Sequence, residues 1–542
     1  MNDLLNIKNL TILFFTIIFL LGLNLYQDYG VYFDNTYQRE NALLWYSYVR
    51  AFFLEPSLSL ADNLKNLIQQ NNIEEISNST LPSLQPIALG LFCEFFIDLF
   101  NIKGSKNIYQ FWGLFNFIIY FLGLYFFYKL IFKRYNSYLY SFIGVLFLFL
   151  TPRFFAESFY NSQDIYFLSL TIINMYAGIN FLERPNIKNT ILFSLCSALA
   201  LDTRIMAIIS ILIIFSFFFL KSLRSSIFFK KNLKYVFYFI FSTIILAIAF
   251  WPYLWTNPFG NFLHAFSQLS SAEFILTIFY LGKYIISINI PSHYHIVWIG
   301  VTTPLIVISL FLLGVFFFLK RFSFRLVKLN ENLNDIWRGD KEMLDIYFFL
   351  MVLFPILLSI GKGLGYNGWR HLYFIYPSII MLALYGFYYL HAIIKIKAIK
   401  IITYSLIVMN LTYLVYWNYK FHPHQYVYFN LLFKKNFHKN FDMDYLGLSN
   451  KSAIEYIINN NTNYPIKIGT KSFSSLENSA LILSEEDKKK ISIIYKLSEA
   501  DFIITNYMPK NKDFIIDKKK YKKYYEVLVD NKAINTVYKK IK

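Results

Sequence analysis

Long apolar runs separated by short polar connectors fill the first 417 residues, and the pattern changes only near the carboxyl end. A helix needs about 20 predominantly apolar residues to cross a hydrocarbon core. Eleven runs approach that length: 10–25, 108–131, 137–151, 165–182, 188–201, 205–220, 234–252, 297–319, 344–361, 371–391 and 399–417. The pattern predicts a mainly α, polytopic membrane helical bundle of about 11 spans over 1–418, followed by a C-terminal extracytoplasmic α/β domain over 419–542. The run 86–100 is shorter and carries Glu94 and Asp98, so it reads as a helix lying on the membrane surface. With 55–80 it is expected to cover the ground near Asp34. Beyond Tyr416, Ser449–Asn459 reads as a helix opened by a Ser cap. Strands are expected at 466–468, 491–495, 502–505, 526–529 and 534–538, the last two joined by a turn at Asp530-Asn531.

Composition supports lipid as the solvent: 56% of residues are hydrophobic and 16% charged, more apolar surface than an aqueous fold hides. The net charge of +19 is spread through connectors and a Lys-rich tail with no reader motif, so no nucleic acid is expected as a partner. Five basic clusters fall on one side of the expected spans: Lys129, Lys133 and Arg134; Arg184 and Lys188; Lys221, Arg224, Lys230, Lys231 and Lys234; Lys320, Arg321, Arg325 and Lys328; Lys395, Lys397 and Lys400. By the positive-inside tendency that side is the cytoplasm. The amino terminus is then inside and the carboxyl-terminal domain outside, as in a multi-pass protein of a bacterial inner membrane. The first run lacks a small-residue cleavage pattern and reads as a retained helix. Cys93 and Cys196 do not make a disulfide framework.

The outer segments, chiefly 26–107, 151–164, 251–296 and 361–370, hold the candidate chemistry. Asp34 lies about ten residues past the first span, among aromatic side chains. Glu157, Asn161 and Asp164 are spaced by four and three residues, which places them on one face of a helix. Carboxylates at the edge of a span need a partner, a cavity or a cation, and Arg153 is the nearest structural partner for them. Lys362, Arg370 and His371 flank a glycine-rich stretch before a span and can meet an anion, Arg370 with a bidentate guanidinium. Arg204 interrupts an apolar stretch, and neutralising Asp202 is its simplest role. His293, His295, His422 and His424 read as interfacial packing. Trp251-Pro252-Tyr253-Leu254-Trp255 reads as part of an aromatic belt.

These pieces, in their order, resemble a polytopic glycosyltransferase of the GT-C superfamily, close to the glycosyltransferase family 39 and protein O-mannosyltransferase-like group. They are Asp34 in the first outer loop, Pro152-Arg153-Phe154-Phe155 with Asn161-Ser162-Gln163-Asp164, Trp251-Pro252-Tyr253-Leu254-Trp255, Thr302-Thr303-Pro304, Gly368-Trp369-Arg370-His371-Leu372-Tyr373 and His422-Pro423-His424-Gln425. The resemblance implies transfer of a monosaccharide from a polyprenyl-phosphate sugar donor to an acceptor hydroxyl of a glycan, lipid or protein. Asp34 would be the base, with Asp164 or Glu157 sharing the site. Arg370, His371, Arg204, Lys362 and Asn161 are the substrate-binding candidates. In some members two such carboxylates share a divalent metal cation, which here would fall between Asp34 and Asp164. The family often has an Asp-Glu pair in the first loop, where this chain has Asp34-Asn35. Two other readings use the same residues: a transporter or flippase of a lipid-linked glycan, and a catalytically degenerate glycan-binding membrane protein.

Overall fold

The computed structural model describes residues 2–54, 87–271, 275–327, 337–362, 365–433, 436–508 and 516–541. The expected cover over 55–80 lies outside these residues, as does the side chain of Lys362.

The membrane part consists of α1 (Asn2–Leu25), α2 (Asn35–Leu54), α3 (Ile87–Leu99), α4 (Ser105–Tyr135), α5 (Tyr138–Phe149), α6 (Pro152–Glu157), α7 (Asp164–Glu183), α8 (Ile187–Thr203), α9 (Ile208–Arg224) and α10 (Ser226–Phe250). After these come α11 (Pro258–Ser271), α12 (Tyr294–Thr302), α13 (Leu305–Val327), α14 (Gly339–Lys362), α15 (Tyr376–Ile393) and α16 (Lys397–Lys420). Among the described residues nine helices are long and apolar enough to cross a membrane, against the eleven expected. The two that fall short are α5, with 12 residues, and α8, with 17. Both nevertheless run antiparallel to the helix before them. Tyr135 stacks on Tyr140 at 5.1 Å at one end of the α4–α5 pair, and the Tyr120 hydroxyl donates to Leu148 O at 3.1 Å further along. Asn189 Nδ2 donates to Asn180 O at 3.2 Å beside the α7–α8 turn, and Ser197 Oγ to Asn174 Oδ1 at 3.0 Å. The expected span 297–319 is broken at Thr303-Pro304. Proline has no N–H to continue a helix and pushes the residue before it toward extended backbone, and Thr303 is extended.

Helices α7 and α15 are almost wholly buried and form the core, while α1, α10 and α16 turn most of their apolar side chains outward. A side chain at Gly314 of α13 would collide with Leu382 O of α15, and one at Gly386 of α15 would collide with Leu310 O. The two backbones therefore touch, as small residues allow between helices in lipid. At the basic end, the buried Asp345 carboxylate receives Arg134 through two bonds of 2.6 and 2.8 Å and Arg321 at 2.9 Å.

Helix α3 packs on α2 and is held through Glu94, which accepts from Arg39 Nε at 3.1 Å and Trp112 Nε1 at 2.8 Å. Phe92, Phe95 and Leu99 on its other side are exposed. A short hairpin, β1 (Thr277–Tyr280) with β2 (Lys283–Ile286), follows α11.

At the carboxyl end, α17 (Ser449–Asn459) packs on a five-stranded sheet of order β4-β3-β5-β7-β6. The strands are β3 (Ile466–Thr470), β4 (Ile491–Ile493), β5 (Phe502–Thr505), β6 (Tyr521–Val529) and β7 (Lys532–Lys540). Strands β3, β4 and β5 are parallel, whereas β7 pairs antiparallel with both β5 and β6. The β6–β7 turn is at Asp530-Asn531, both left-handed at φ 50° and 60°, as a two-residue hairpin turn requires. The expected Ser cap of α17 is not the arrangement found. The Asp444 carboxylate accepts from the amides of Leu448 and Ser449, both at 3.1 Å, and from the Ser449 hydroxyl.

Candidate active site

Two carboxylates and two guanidiniums from four distant parts of the chain meet at the end of the bundle opposite the Arg134–Asp345–Arg321 cluster. Asp34 sits at the N-cap position of α2, its carbonyl accepting the Gln38 amide at 2.9 Å. The turn before it is pinned from the carboxyl-terminal part, where Leu446 O accepts from Phe33 N at 3.2 Å. Asp164 opens α7. Both carboxylates thus lie at helix amino ends, where the peptide dipoles favour negative charge.

Arg370 reaches the site through a sharp reversal after α14. Asn367 and Gly368 are both left-handed, at φ 54° and 73°, a conformation glycine and asparagine adopt most readily. The chain then enters a 3-10 turn, Arg370–Ile375. Arg370 NH1 donates to Asp34 Oδ2 at 2.6 Å, and its Nε stands 4.0 Å from Asp164 Oδ2. The Arg370 guanidinium also lies over the Tyr366 ring, 5.2 Å from its centroid. Residues three apart eclipse in a 3-10 turn, so Tyr373 is on the side of Arg370, and its hydroxyl donates to Glu157 Oε1 at 2.7 Å.

Arg204 is in extended backbone between α8 and the 3-10 turn Ile205–Ala207. It does not neutralise Asp202, whose Oδ2 instead accepts the Ala88 amide at 2.9 Å. Arg204 NH2 binds Asp164 Oδ1, and NH1 is 3.1 Å from His371 Nδ1. A guanidinium only donates, so Nδ1 is the accepting nitrogen and the proton of a neutral His371 is on Nε2.

The spacing of Glu157, Asn161 and Asp164 brings them together, though not along one helix. Helix α6 ends at Glu157 and α7 begins at Asp164, with a turn between. Asn161 bridges that turn: its Nδ2 donates to Glu157 Oε2 at 2.6 Å and to Asp164 Oδ2 at 2.9 Å, while its Oδ1 accepts the Asp164 amide at 3.0 Å. Burial pushes the Glu157 carboxyl up to about 7, the hydrogen bonds from Tyr373 and Asn161 pull the other way, and the charge of Asp164 adds to the rise. Arg153 does not pair with Glu157. It is buried among the rings of Trp298, Phe429 and Tyr445, at 5.5, 5.7 and 5.9 Å, and donates to the Tyr445 hydroxyl at 2.7 Å.

Three N–H donors of the cluster are buried without an acceptor: Arg370 Nε, Arg204 Nε and His371 Nε2. Each unmet donor costs of the order of 1–3 kcal/mol. Asp34, with 24% of its side chain accessible, is the most open of the four charged groups; Arg204 keeps 17%, Arg370 4% and Asp164 1%. The arrangement therefore sets an accessible carboxylate beside three N–H donors that no protein group accepts.

Among the described residues no group of three or more His, Cys, Asp or Glu is placed to hold a metal ion. Arg370 occupies the place between Asp34 and Asp164 where a bridging cation would stand, and Arg204 takes the other Asp164 oxygen. The pair as arranged does not fit a shared divalent ion. His295 bonds Ser359 at 2.5 Å and lies near enough to His371 to act on it electrostatically, whereas His422 bonds Asp28 at 2.8 Å, His424 bonds Ser452 at 3.1 Å, and His293 lies against Tyr280. A cavity of about 390 Å³ lined by Tyr26, Gln27, Asn101, Asn107, Gln110 and Phe111 lies beside the amino end of α4, away from these charges.

Models of known protein families gave no match to this sequence, and neither did the curated proteins.

Sequence reasoning missed Tyr373, Tyr366 and Gln38. Gln38 accepts from Ser162 Oγ and donates to the Tyr32 hydroxyl at 2.7 Å, one helical turn from Asp34. Its position four residues after an Asp that begins an amphipathic stretch was the available signal.

Proposed function

We propose that the protein is a membrane glycosyltransferase of GT-C type that moves a monosaccharide from a polyprenyl-phosphate donor to an acceptor hydroxyl at the outer face of the membrane. The observation that carries this reading is the set of three unmet donors, on Arg370, Arg204 and His371, beside the accessible Asp34 carboxylate. A phosphate oxygen is the acceptor those donors lack, and guanidinium geometry suits it.

In this mechanism the donor phosphate draws the Arg370 guanidinium away from Asp34. Asp34 then takes the proton of the acceptor hydroxyl as that oxygen attacks the anomeric carbon. The new C–O bond forms as the bond from the anomeric carbon to the phosphate oxygen breaks. One displacement inverts the anomeric centre. The charge left on the polyprenyl phosphate is met by Arg370, Arg204 and the neutral His371 Nε2–H. Asp164, held by Arg204 and Asn161, keeps both arginines in place. The basic clusters at the opposite end of the bundle favour the cytoplasm for that end and the exoplasmic leaflet for the site.

The test is transfer of radiolabelled sugar from synthetic polyprenyl-phosphate donors by purified protein in lipid. Asp34→Asn should lower turnover by about 10²–10⁴-fold while donor binding persists. Equal transfer by wild type and variant removes Asp34 as base. Tight donor binding with no transfer by either favours transport of the lipid-linked sugar.

A further inference from the structure

Helix α11 is amphipathic, and its two faces have different partners. Phe259, Phe262, Leu263 and Phe266 recur at the spacing of a single helical stripe. They are 76%, 43%, 49% and 52% exposed, among the most open large apolar residues at this end of the molecule. Asn261 and Ala265 lie on the opposite arc and face the turn before the helix, with the exposed His264 at the edge of that arc. Asn261 Nδ2 donates to Tyr253 O at 2.5 Å and to Thr256 Oγ1 at 3.0 Å, and His264 Nδ1 is 2.8 Å from the Tyr253 hydroxyl. Ala265 is buried in a cluster with Trp251 and Leu254 of the preceding turn and Trp45 and Tyr48 of α2. The opposite arc is thus bonded to the preceding turn, and the phenylalanines point away from it.

What covers the stripe follows from its place in the chain. Helix α10 ends at Phe250 and turns exposed Phe237, Phe241, Ile244 and Ile245 outward, the surface expected of a span in contact with acyl chains. The aromatic turn Trp251–Trp255 follows directly, and α11 rests on that turn. The stripe therefore begins where the lipid-facing surface of α10 stops. We infer that α11 lies in the membrane plane, with Phe259, Phe262, Leu263 and Phe266 immersed at the boundary between head groups and acyl chains on the site side. Because Ala265 and Trp251 pack against Trp45 and Tyr48, this immersed helix bears on α2, whose amino end carries Asp34. The leaflet itself then helps set the height of the site, independently of which reaction occurs there.

Nitroxide labels at positions 258–267 of the full chain, in a Cys93→Ala, Cys196→Ala background in nanodiscs, test this by collision with oxygen and with a water-soluble nickel chelate. Phe259→Cys, Phe262→Cys and Phe266→Cys should favour oxygen severalfold, and Asn261→Cys, on the half-buried arc, should be shielded from both. Nickel access at the three phenylalanine positions would place the stripe in water and overturn the inference. Shielding from both probes there would mean a protein surface, such as a second copy, and would overturn it equally. Should that background not fold, p-azidophenylalanine at Phe262 in the otherwise unchanged chain gives the same decision. A lipid adduct supports immersion, whereas a cross-linked dimer or no lipid adduct contradicts it.

Discussion

Asp34 and Glu157 belong to one charged cluster but have different environments. Asp34 is open enough to meet a hydroxyl from outside. Glu157 is fully buried, bonded to Tyr373 and Asn161, and its carboxyl is pushed up to about 7. An unfolded glutamate titrates near about 4.3, so between that pH and about 7 the folded protein holds a proton that the unfolded chain has released. Its contribution to stability is full below the unfolded value and is lost as pH rises through about 7. The melting temperature of detergent-solubilised protein should therefore decline between about pH 5 and about pH 8, and Glu157→Gln should flatten part of that decline. A parallel decline in the variant would show that Glu157 does not contribute. Charged residues were the legible part of the site, because a carboxylate or guanidinium in an apolar setting is costly and stands out. Tyr373 and Tyr366 were not, since aromatic residues make up 21% of the chain and a functional one carries no local mark.

At the scale of elements, the backbone contact between α13 and α15 fixes how the core is assembled. Gly314 and Gly386 each meet a carbonyl of the other helix. Gly314→Leu must therefore part the two helices, and it should destabilise the protein by at least about 1–3 kcal/mol, the usual cost of overpacking. Thermal unfolding in detergent measures this, and an unchanged midpoint would show that the pair is not tightly packed. The spans were read from length and apolarity, which is why α5 and α8 were counted as full spans although they are short. The break at Thr303-Pro304 was visible as a motif but not as an interruption, because the apolar run continues on both sides of it. Helix α2 lies in a segment read only as an outer loop. Its mixture of aromatic, amide and charged residues gives no span-like run, and its folded state depends on α3 and the Trp251–Trp255 turn, which pack against it.

For the whole molecule, one end of the bundle is lined with Lys and Arg and the other carries the acidic-basic cluster and the sheet domain. If the positive-inside tendency governs insertion, Asn186→Cys is protected from a membrane-impermeant maleimide in intact cells, and Lys496→Cys is labelled. The reverse pattern would place the site in the cytoplasm and remove a donor presented at the outer leaflet. The strands of the carboxyl-terminal sheet were legible from alternation and from the Asp530-Asn531 turn, as was the change in composition after Tyr416. Its attachment to the rest was not, because contacts such as Arg153 with Tyr445 join residues nearly 300 positions apart, 292 in this case.

The bond from Phe33 N to Leu446 O has a consequence for biogenesis. A polytopic chain is threaded into its membrane from the amino terminus, so the corner holding Asp34 is synthesised among the first segments yet receives its fastening from one of the last. Until the stretch around Tyr445 and Leu446 has been made and folded, that corner lacks its clasp. A truncated or stalled product would keep its apolar helices yet leave the Asp34 corner unfastened, an early residue waiting on a late neighbour.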